Sequence, residues 1–157
     1  MKTIYFIRHG IAKDGDDDKI RPLSEKGILK TQKVADRLSQ QGVRFDLMLF
    51  SPLLRAKQSA RILANLADRA EECAHLSPEG KLTQWLEEFK SIEFDSLALV
   101  GHQPNLTDWA EQMVWGYVHN KLILKKAGII GIEIPTLSES VGRGTLFLLT
   151  SPMWLLD

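Results

Sequence analysis

Three short apolar runs punctuate the chain, and each stops abruptly on a polar group. Met1 to Ile7 ends in Arg8-His9-Gly10, Asp46-Leu47-Met48-Leu49-Phe50 ends in Ser51, and Ser96-Leu97-Ala98-Leu99-Val100 ends in Gly101-His102. Short, near-continuous runs of branched and aromatic residues read as strands buried on both faces. Between them the period changes to that of helices. Ser24 is placed to cap a helix carrying Ile28, Val34, Ala35 and Leu38 and ending at Gln41-Gly42. A second helix is expected from Pro52 to about Ala70, capped by Ser51, with Leu54, Ala60, Ile62, Leu63, Leu66 and Ala67 as its apolar face and Arg55 in its first turn.

Ser77-Pro78-Glu79-Gly80 reads as a turn, and Leu82, Trp85, Leu86 and Phe89 as a short helix. Asn105 is the expected cap of a helix from Leu106 to about Tyr117. Gly128 to Ile134 and Gly144 to Thr150, joined by Pro135 to Arg143, have the pattern of an antiparallel hairpin. Alternation of strand and helix followed by a hairpin predicts an α/β fold. The expected architecture is a three-layer α/β/α sandwich: a mostly parallel central sheet, helices on both faces, and a C-terminal antiparallel hairpin, all in one domain over residues 1–157.

Composition narrows the partners. With 20 basic and 20 acidic residues the formal charge is zero, which gives no electrostatic case for nucleic acid or an anionic membrane. The lone Cys73 rules out an internal disulfide framework and suits a reducing compartment. No apolar stretch approaches the ~20 residues of a membrane span, and the N-terminus lacks a signal-peptide pattern. A cytoplasmic location is the expectation. The tryptophans, Trp85, Trp109, Trp115 and Trp154, are expected as core or helix-packing groups.

Parallel strands bring their carboxyl ends to one edge of a sheet, the edge where open α/β sheets bind ligands. Arg8 and His9, Ser51 leading to Arg55, and His102 should therefore converge. Two arginine forks, two imidazoles and a helix N-terminus around one point suit a phosphate. A histidine there could serve as nucleophile in phosphoryl transfer, with the arginines neutralising the non-bridging oxygens. Neighbouring cations should push the imidazole pKa below its usual ~6.5 and keep a nucleophile neutral. The residues alone leave open which histidine attacks.

Arg8-His9-Gly10, the block Ser51-Pro52-Leu53-Leu54-Arg55-Ala56-Lys57-Gln58-Ser59-Ala60, and Gly101-His102 resemble the three signature blocks of the histidine phosphatase superfamily, which includes the cofactor-dependent phosphoglycerate mutases. Arg21-Pro22-Leu23-Ser24 with Gly27, the brief 51–60 block and Lys125-Lys126-Ala127-Gly128 resemble its short SixA-type phosphohistidine phosphatases. The resemblance implies His9 as the phosphorylated nucleophile, Arg8, Arg55 and His102 as the rest of the phosphate pocket, and Arg21 on the substrate side. It implies no metal and no organic cofactor. The expected substrate is a histidine-phosphorylated protein, such as a phosphorelay domain, or a small phosphate compound.

One departure bears on the substrate. Glu79, Glu87 and Glu88 follow the second helix, but none matches the acid motif with which many relatives protonate an alcohol leaving group, and the segment between Ala70 and Leu97 is too short for large substrate-recognition insertions. Cleavage of a P–N bond to imidazole needs less general-acid help than cleavage of an ester. Asp18 or Glu79 remains available as an acid, which keeps a small-molecule phosphomonoesterase as the alternative. A non-catalytic phospho-ligand module is the reading from another class. Asp14, Asp16, Asp18 and Glu25 have EF-hand-like spacing, but Lys19 stands where the turn glycine belongs. His9, His75, His102 and His119 lack zinc-site spacing, and no glycine-rich nucleotide loop occurs.

Overall fold

The computed structural model describes residues 1–156. β1 (Lys2–Arg8) leads to α1 (Glu25–Gln40), β2 (Phe45–Phe50), α2 (Leu54–Leu63), β3 (Ala67–Glu72), α3 (Leu82–Phe89), β4 (Ser96–Gly101), α4 (Asn105–Trp115), β5 (Ile129–Ile134), β6 (Thr145–Thr150) and α5 (Pro152–Leu155). The six strands form one sheet in the order β3-β2-β4-β1-β5-β6. β1, β2, β3 and β4 pair in parallel, whereas β5 and β6 join antiparallel. This is the expected α/β architecture.

The central strands β1, β2, β4 and β5 are largely apolar because both their faces are covered. Ile4 and Phe6 of β1 pack with Trp85 of α3 and Trp109 of α4, while Ile7 packs on the opposite face with Val34 of α1 and Leu63 of α2. Side chains of one strand alternate between faces, so adjacent β1 residues enter separate cores. α1 starts at the expected cap, where the Gly27 backbone N–H donates to Ser24 Oγ at 3.0 Å. α4 stops at Gly116, whose φ of 91° is the left-handed conformation that closes a helix and favours glycine.

Four expectations need correction. The second helix ends at Leu63, and after a 3-10 turn the chain becomes strand β3 instead of remaining helical to Ala70. β3 pairs with β2 at the sheet edge, where its charged residues Asp68, Arg69, Glu71 and Glu72 face solvent. An edge strand rich in charge resists further pairing and carries little hydrophobic signal. Pro52 lies before α2, and Leu53 occupies the cap position with no side-chain bond. The Leu53 backbone N–H instead donates to Ser51 Oγ one step earlier.

Asn105 does not cap α4 either. Its amide donates to the Pro78 and Gly80 carbonyls at 3.2 and 3.0 Å, pinning the 77–80 turn. Among the tryptophans, Trp85 and Trp109 are core residues, but Trp115 is 44% and Trp154 80% exposed. α5 is short; its Pro152 is buried and its Leu155 packs partly buried against the core, which leaves Met153 and Trp154 outside. No helix among the described residues is long and apolar enough to cross a membrane.

Candidate active site

Sheet register brings the strand ends together. Arg8 of β1 lies opposite Gly101 of β4, and Phe50 of β2 opposite Val100. The next residue of each strand continues the pairing: the His9 N–H donates to the Gly101 carbonyl and the Ser51 N–H to the Val100 carbonyl. His9, Ser51 and His102 are consequently neighbours, with the His9 and His102 ring centroids 5.1 Å apart. All three are buried.

Immediately after His9 the chain must pass close beneath α1. A Cβ at Gly10 would come within 2.5 Å of Thr31 Oγ1, and a Cβ at Gly27 within 2.0 Å of the Ile11 carbonyl oxygen. These two glycines let helix and loop approach, which fixes the backbone that carries His9. The Gly10 N–H donates to Ser59 Oγ of α2, and Ser59 Oγ donates to the Arg55 carbonyl. The loop after His9 is thereby tied to the helix that bears Arg55.

The hydrogen bonds define the His9 tautomer. Nδ1 lies 2.7 Å from the Gly10 carbonyl oxygen, a group that can only accept, so Nδ1 carries the proton. Arg55 Nε donates to His9 Nε2 at 3.3 Å, so Nε2 bears the lone pair. The His9 pKa falls to about 3, first because burial disfavours the imidazolium and then because His102, Arg55 and Arg8 repel it; the bond to the Gly10 carbonyl opposes the shift. The fall was expected, but burial rather than cationic neighbours leads it. His102 is drawn down to about 4, again by burial first, then by Arg55, with Asp18 opposing. Its Nε2 pairs with Ser51 Oγ at 2.7 Å, and its Nδ1 has no hydrogen-bond partner among the described residues.

These groups line a hollow of about 360 Å³ that also contains Arg8, Arg55, Arg21, Asp18 and Lys126. Arg8 donates through one guanidinium nitrogen to the Leu124 carbonyl at 2.8 Å. Arg55 is buried, yet it reaches the loop at the mouth: one of its nitrogens donates to the Asp18 carbonyl at 2.7 Å and another to the Asp18 carboxylate at 3.3 Å. Arg21, at the rim, donates to the Lys13 carbonyl and to the second Asp18 oxygen. All five residues named from the sequence, Arg8, His9, Arg21, Arg55 and His102, thus face one cavity.

Asp18, one of the two carboxyls available as an acid, is placed as an ion-pair partner of Arg21 and Arg55. The Arg21 hydrogen bond, followed by the charge and hydrogen bond of Arg55, holds its carboxyl below the usual range despite some opposing desolvation. Its carboxylate sits on the guanidinium groups that a phosphate would need. Glu79 does not line this hollow; Pro78, held by Asn105, does. Sequence reasoning had not assigned Lys126 or Gln103 to the site. The dilysine before Gly128 was the available signal for Lys126, whereas Gln103 follows directly from adjacency to His102. Among the described residues no cluster of His, Cys, Asp or Glu could hold a metal ion.

A neutral imidazole with a directed lone pair, set among arginines at strand ends, defines a phosphoryl-handling site of the histidine phosphatase kind. The model of the histidine phosphatase superfamily (branch 1) matches residues 4–92, and the chain belongs to that family. It is a phosphatase. An uncharacterized protein of Picosynechococcus sp. is 46% identical over 162 residues, which cover 98% of each chain. The phosphohistidine phosphatase SixA of Escherichia coli (strain K12) is 30% identical over 108 residues, covering 64% of this chain and 67% of that protein. The solved structure of the protein histidine phosphatase SixA complexed with tungstate superposes with a TM-score of 0.84 at 24% identity, covering 98% of this chain and 99% of that one.

Proposed function

We propose that the chain is a phosphohistidine phosphatase that works through a phosphoryl group carried on His9. The observation that carries this reading is the His9 tautomer: Nδ1–H is committed to the Gly10 carbonyl, and the Nε2 lone pair, at the cationic cavity, accepts a long bond from Arg55 Nε that an incoming phosphoryl group would replace. In the first step Nε2 attacks phosphorus, the bond from phosphorus to the substrate imidazole breaks, and the departing imidazole takes a proton from solvent. In the second, water attacks phosphorus and gives up a proton to solvent, the bond to Nε2 breaks, and inorganic phosphate leaves with His9 neutral again, its Nδ1 proton retained. Arg8 and Arg55 balance charge on the non-bridging oxygens. His102 provides a further hydrogen-bonding group in the pocket, and Arg21 contacts the substrate at the mouth.

The preference for a P–N bond rests on Asp18. Held as a carboxylate by two arginines, it is ill suited to protonate an alkoxide. An imidazole leaving group makes a smaller demand. The similarity to a SixA phosphohistidine phosphatase points the same way. A small-molecule phosphomonoesterase is the second reading, favoured by the position of Asp18 itself. If phosphate displaced the carboxylate from its arginines, the carboxyl would lose its main stabilising partners and could become a proton donor.

Initial rates at pH 7 on a histidine-phosphorylated protein, free phosphohistidine, phosphoserine and p-nitrophenyl phosphate separate the readings. The phosphohistidine substrates should lead by roughly 100-fold or more in kcat/KM, given the lower acid demand of the leaving group. A lead by either ester would favour the phosphomonoesterase. Binding of phosphate without release of phosphate from any of the four would indicate a phospho-ligand module. Alkaline quench during turnover should trap acid-labile phosphate on His9.

A further inference from the structure

A second hollow, about 560 Å³ in volume, opens beside the catalytic one and shares two wall residues with it, Arg8 and Lys126. Its other cations are Lys30 of α1 and Lys125, and its apolar side is Met153 and Trp154 of α5. None of these lysines forms an ion pair among the described residues. Met153 and Trp154 are 81% and 80% exposed, although Trp154 is among the largest apolar side chains available. A tryptophan beside lysines that form no ion pair among the described residues, in a concave surface, has the composition of an interface anchor with a charged rim.

The opposite part of the mouth has different chemistry. Asp18 and Arg21 line the catalytic hollow but not the second one, and they belong to a loop bearing exposed Asp14, Asp16 and Asp17. The mouth is therefore polarised, with cationic and apolar character on the α5 side. Arg8 and Lys126 line both hollows, so the second adjoins the one that holds His9, and a chain seated on it would lie next to a phosphoryl group bound there.

We propose that this shelf docks the protein segment flanking the phosphorylated histidine of the substrate, and that the segment is acidic with apolar residues interspersed. The proposal rests on the phosphohistidine reading for the identity of the phosphorylated residue, but the binding preference rests on the shelf alone. Acidic side chains would meet Lys30 and Lys125, while apolar ones cover Trp154 and Met153. A protein segment fits better than a lipid surface because the shelf is concave and shares Arg8 and Lys126 with the hollow that would receive its phosphoryl group.

Two peptide probes test this, each with one histidine. One is flanked by Glu and Leu, the other by Lys and Ser, and each is prepared unphosphorylated and phosphorylated with phosphoramidate. Fluorescence anisotropy of the unphosphorylated probes should show at least about tenfold tighter binding of the Glu/Leu peptide, a difference lost in Trp154→Ala and Lys30→Glu. With the phosphorylated forms, both variants should lower kcat/KM for the Glu/Leu peptide by about tenfold, yet leave free phosphohistidine within about twofold of wild type. Circular dichroism checks the fold of each variant, and the exposure of Trp154 makes its replacement tolerable.

Equal binding of the two unphosphorylated peptides would overturn the proposal whatever the turnover. Preferential binding without hydrolysis of either phosphorylated probe would instead remove the phosphohistidine reading and leave the shelf standing. Trp154-dependent sedimentation with phosphatidylserine/phosphatidylcholine vesicles, without peptide discrimination, would reassign the surface to membranes and sink the proposal. A concentration-dependent dimer abolished by Trp154→Ala, again without peptide discrimination, would reassign it to a second copy of the chain.

Discussion

On one side of the hollow that holds His9, the residues Arg8, His9 and His102 stand at or just beyond strand ends locked in register; the Arg8 and His9 backbones bond Gly128, Gly101 and Ala127, and the His102 carbonyl accepts from Leu106 at the start of α4. On the other side, Asp18 and Arg21 stand on a loop tied across its base by the Ala12–Leu23 bridge, and their contacts are a partly exposed ion pair with each other, an ion pair from half-exposed Asp18 to buried Arg55, and single hydrogen bonds. The first side is held by main-chain hydrogen bonds. The second is held by interactions that a phosphate can replace, since exposed ion pairs contribute little individually. On the proposed function, chemistry falls to the sheet edge and admission of substrate to the loop. Arg55 joins them, because it touches both His9 and Asp18.

The largest effect should come from the sheet side. His9→Ala removes the proposed phosphoryl acceptor and should lower kcat by about 10⁴-fold or more, measured as phosphate release from phosphohistidine. Activity near the wild-type level would sink the covalent route. Arg55→Ala should cost roughly 10²- to 10³-fold, as expected for loss of a charge aimed at the transferring group. Arg21→Ala should cost about tenfold or less and act mainly through KM, because its contacts lie at the rim. An Arg21 effect as large as that of Arg55 would erase the distinction between edge and loop.

The same contrast separates what the sequence made legible from what it concealed. The strand ends could be read because a buried strand is a continuous apolar run and the parallel arrangement determines where such runs finish. β3 escaped notice because an edge strand such as Ala67–Glu72 needs no apolar alternation. Asp18 was visible as one acid among several, but its pairing with Arg55, far away in sequence, depends on the tertiary path of the loop. Asn105 looked like a helix cap because local propensity cannot foresee that its amide will find the 77–80 turn. Shape of the main chain was legible; long-range side-chain pairing was not.

Titration gives a smaller effect with a definite sign. Unfolded, His9 and His102 would titrate near the ordinary ~6.5, whereas folded they titrate at about 3 and about 4. Between those values the unfolded chain binds more protons, so stability is fully present above about pH 6.5 and is lost as pH falls toward the folded values. Each histidine should contribute a loss of up to about 1.4 kcal/mol per pH unit in that window, seen as a falling denaturant midpoint between neutral and mildly acidic buffers. Added vanadate or phosphate should flatten the slope, because a bound anion favours the charged imidazoles. A similar slope in Asp18→Asn would show that burial at the sheet edge, rather than the loop, sets it.

The smallest effect should fall on the loop itself. In the free protein the Asp18 carboxylate occupies nitrogens of Arg55 and Arg21, so an incoming oxyanion must displace it. Asp18→Asn keeps the size of the side chain and the carbonyl that accepts from Arg55, but removes the competing charge. Inhibition by vanadate should then tighten by about two- to fivefold, the range expected for loss of exposed ion pairs. Loss of any nearby negative charge could raise anion affinity through the general field, so Asp14→Asn and Asp16→Asn serve as controls and should change inhibition by less than about twofold at physiological salt. Equal tightening in all three variants would reduce Asp18 to one charge among several. Weaker inhibition in Asp18→Asn alone would mean that its carboxylate aims Arg55 at phosphate, and the loop would then share in the chemistry it otherwise only admits.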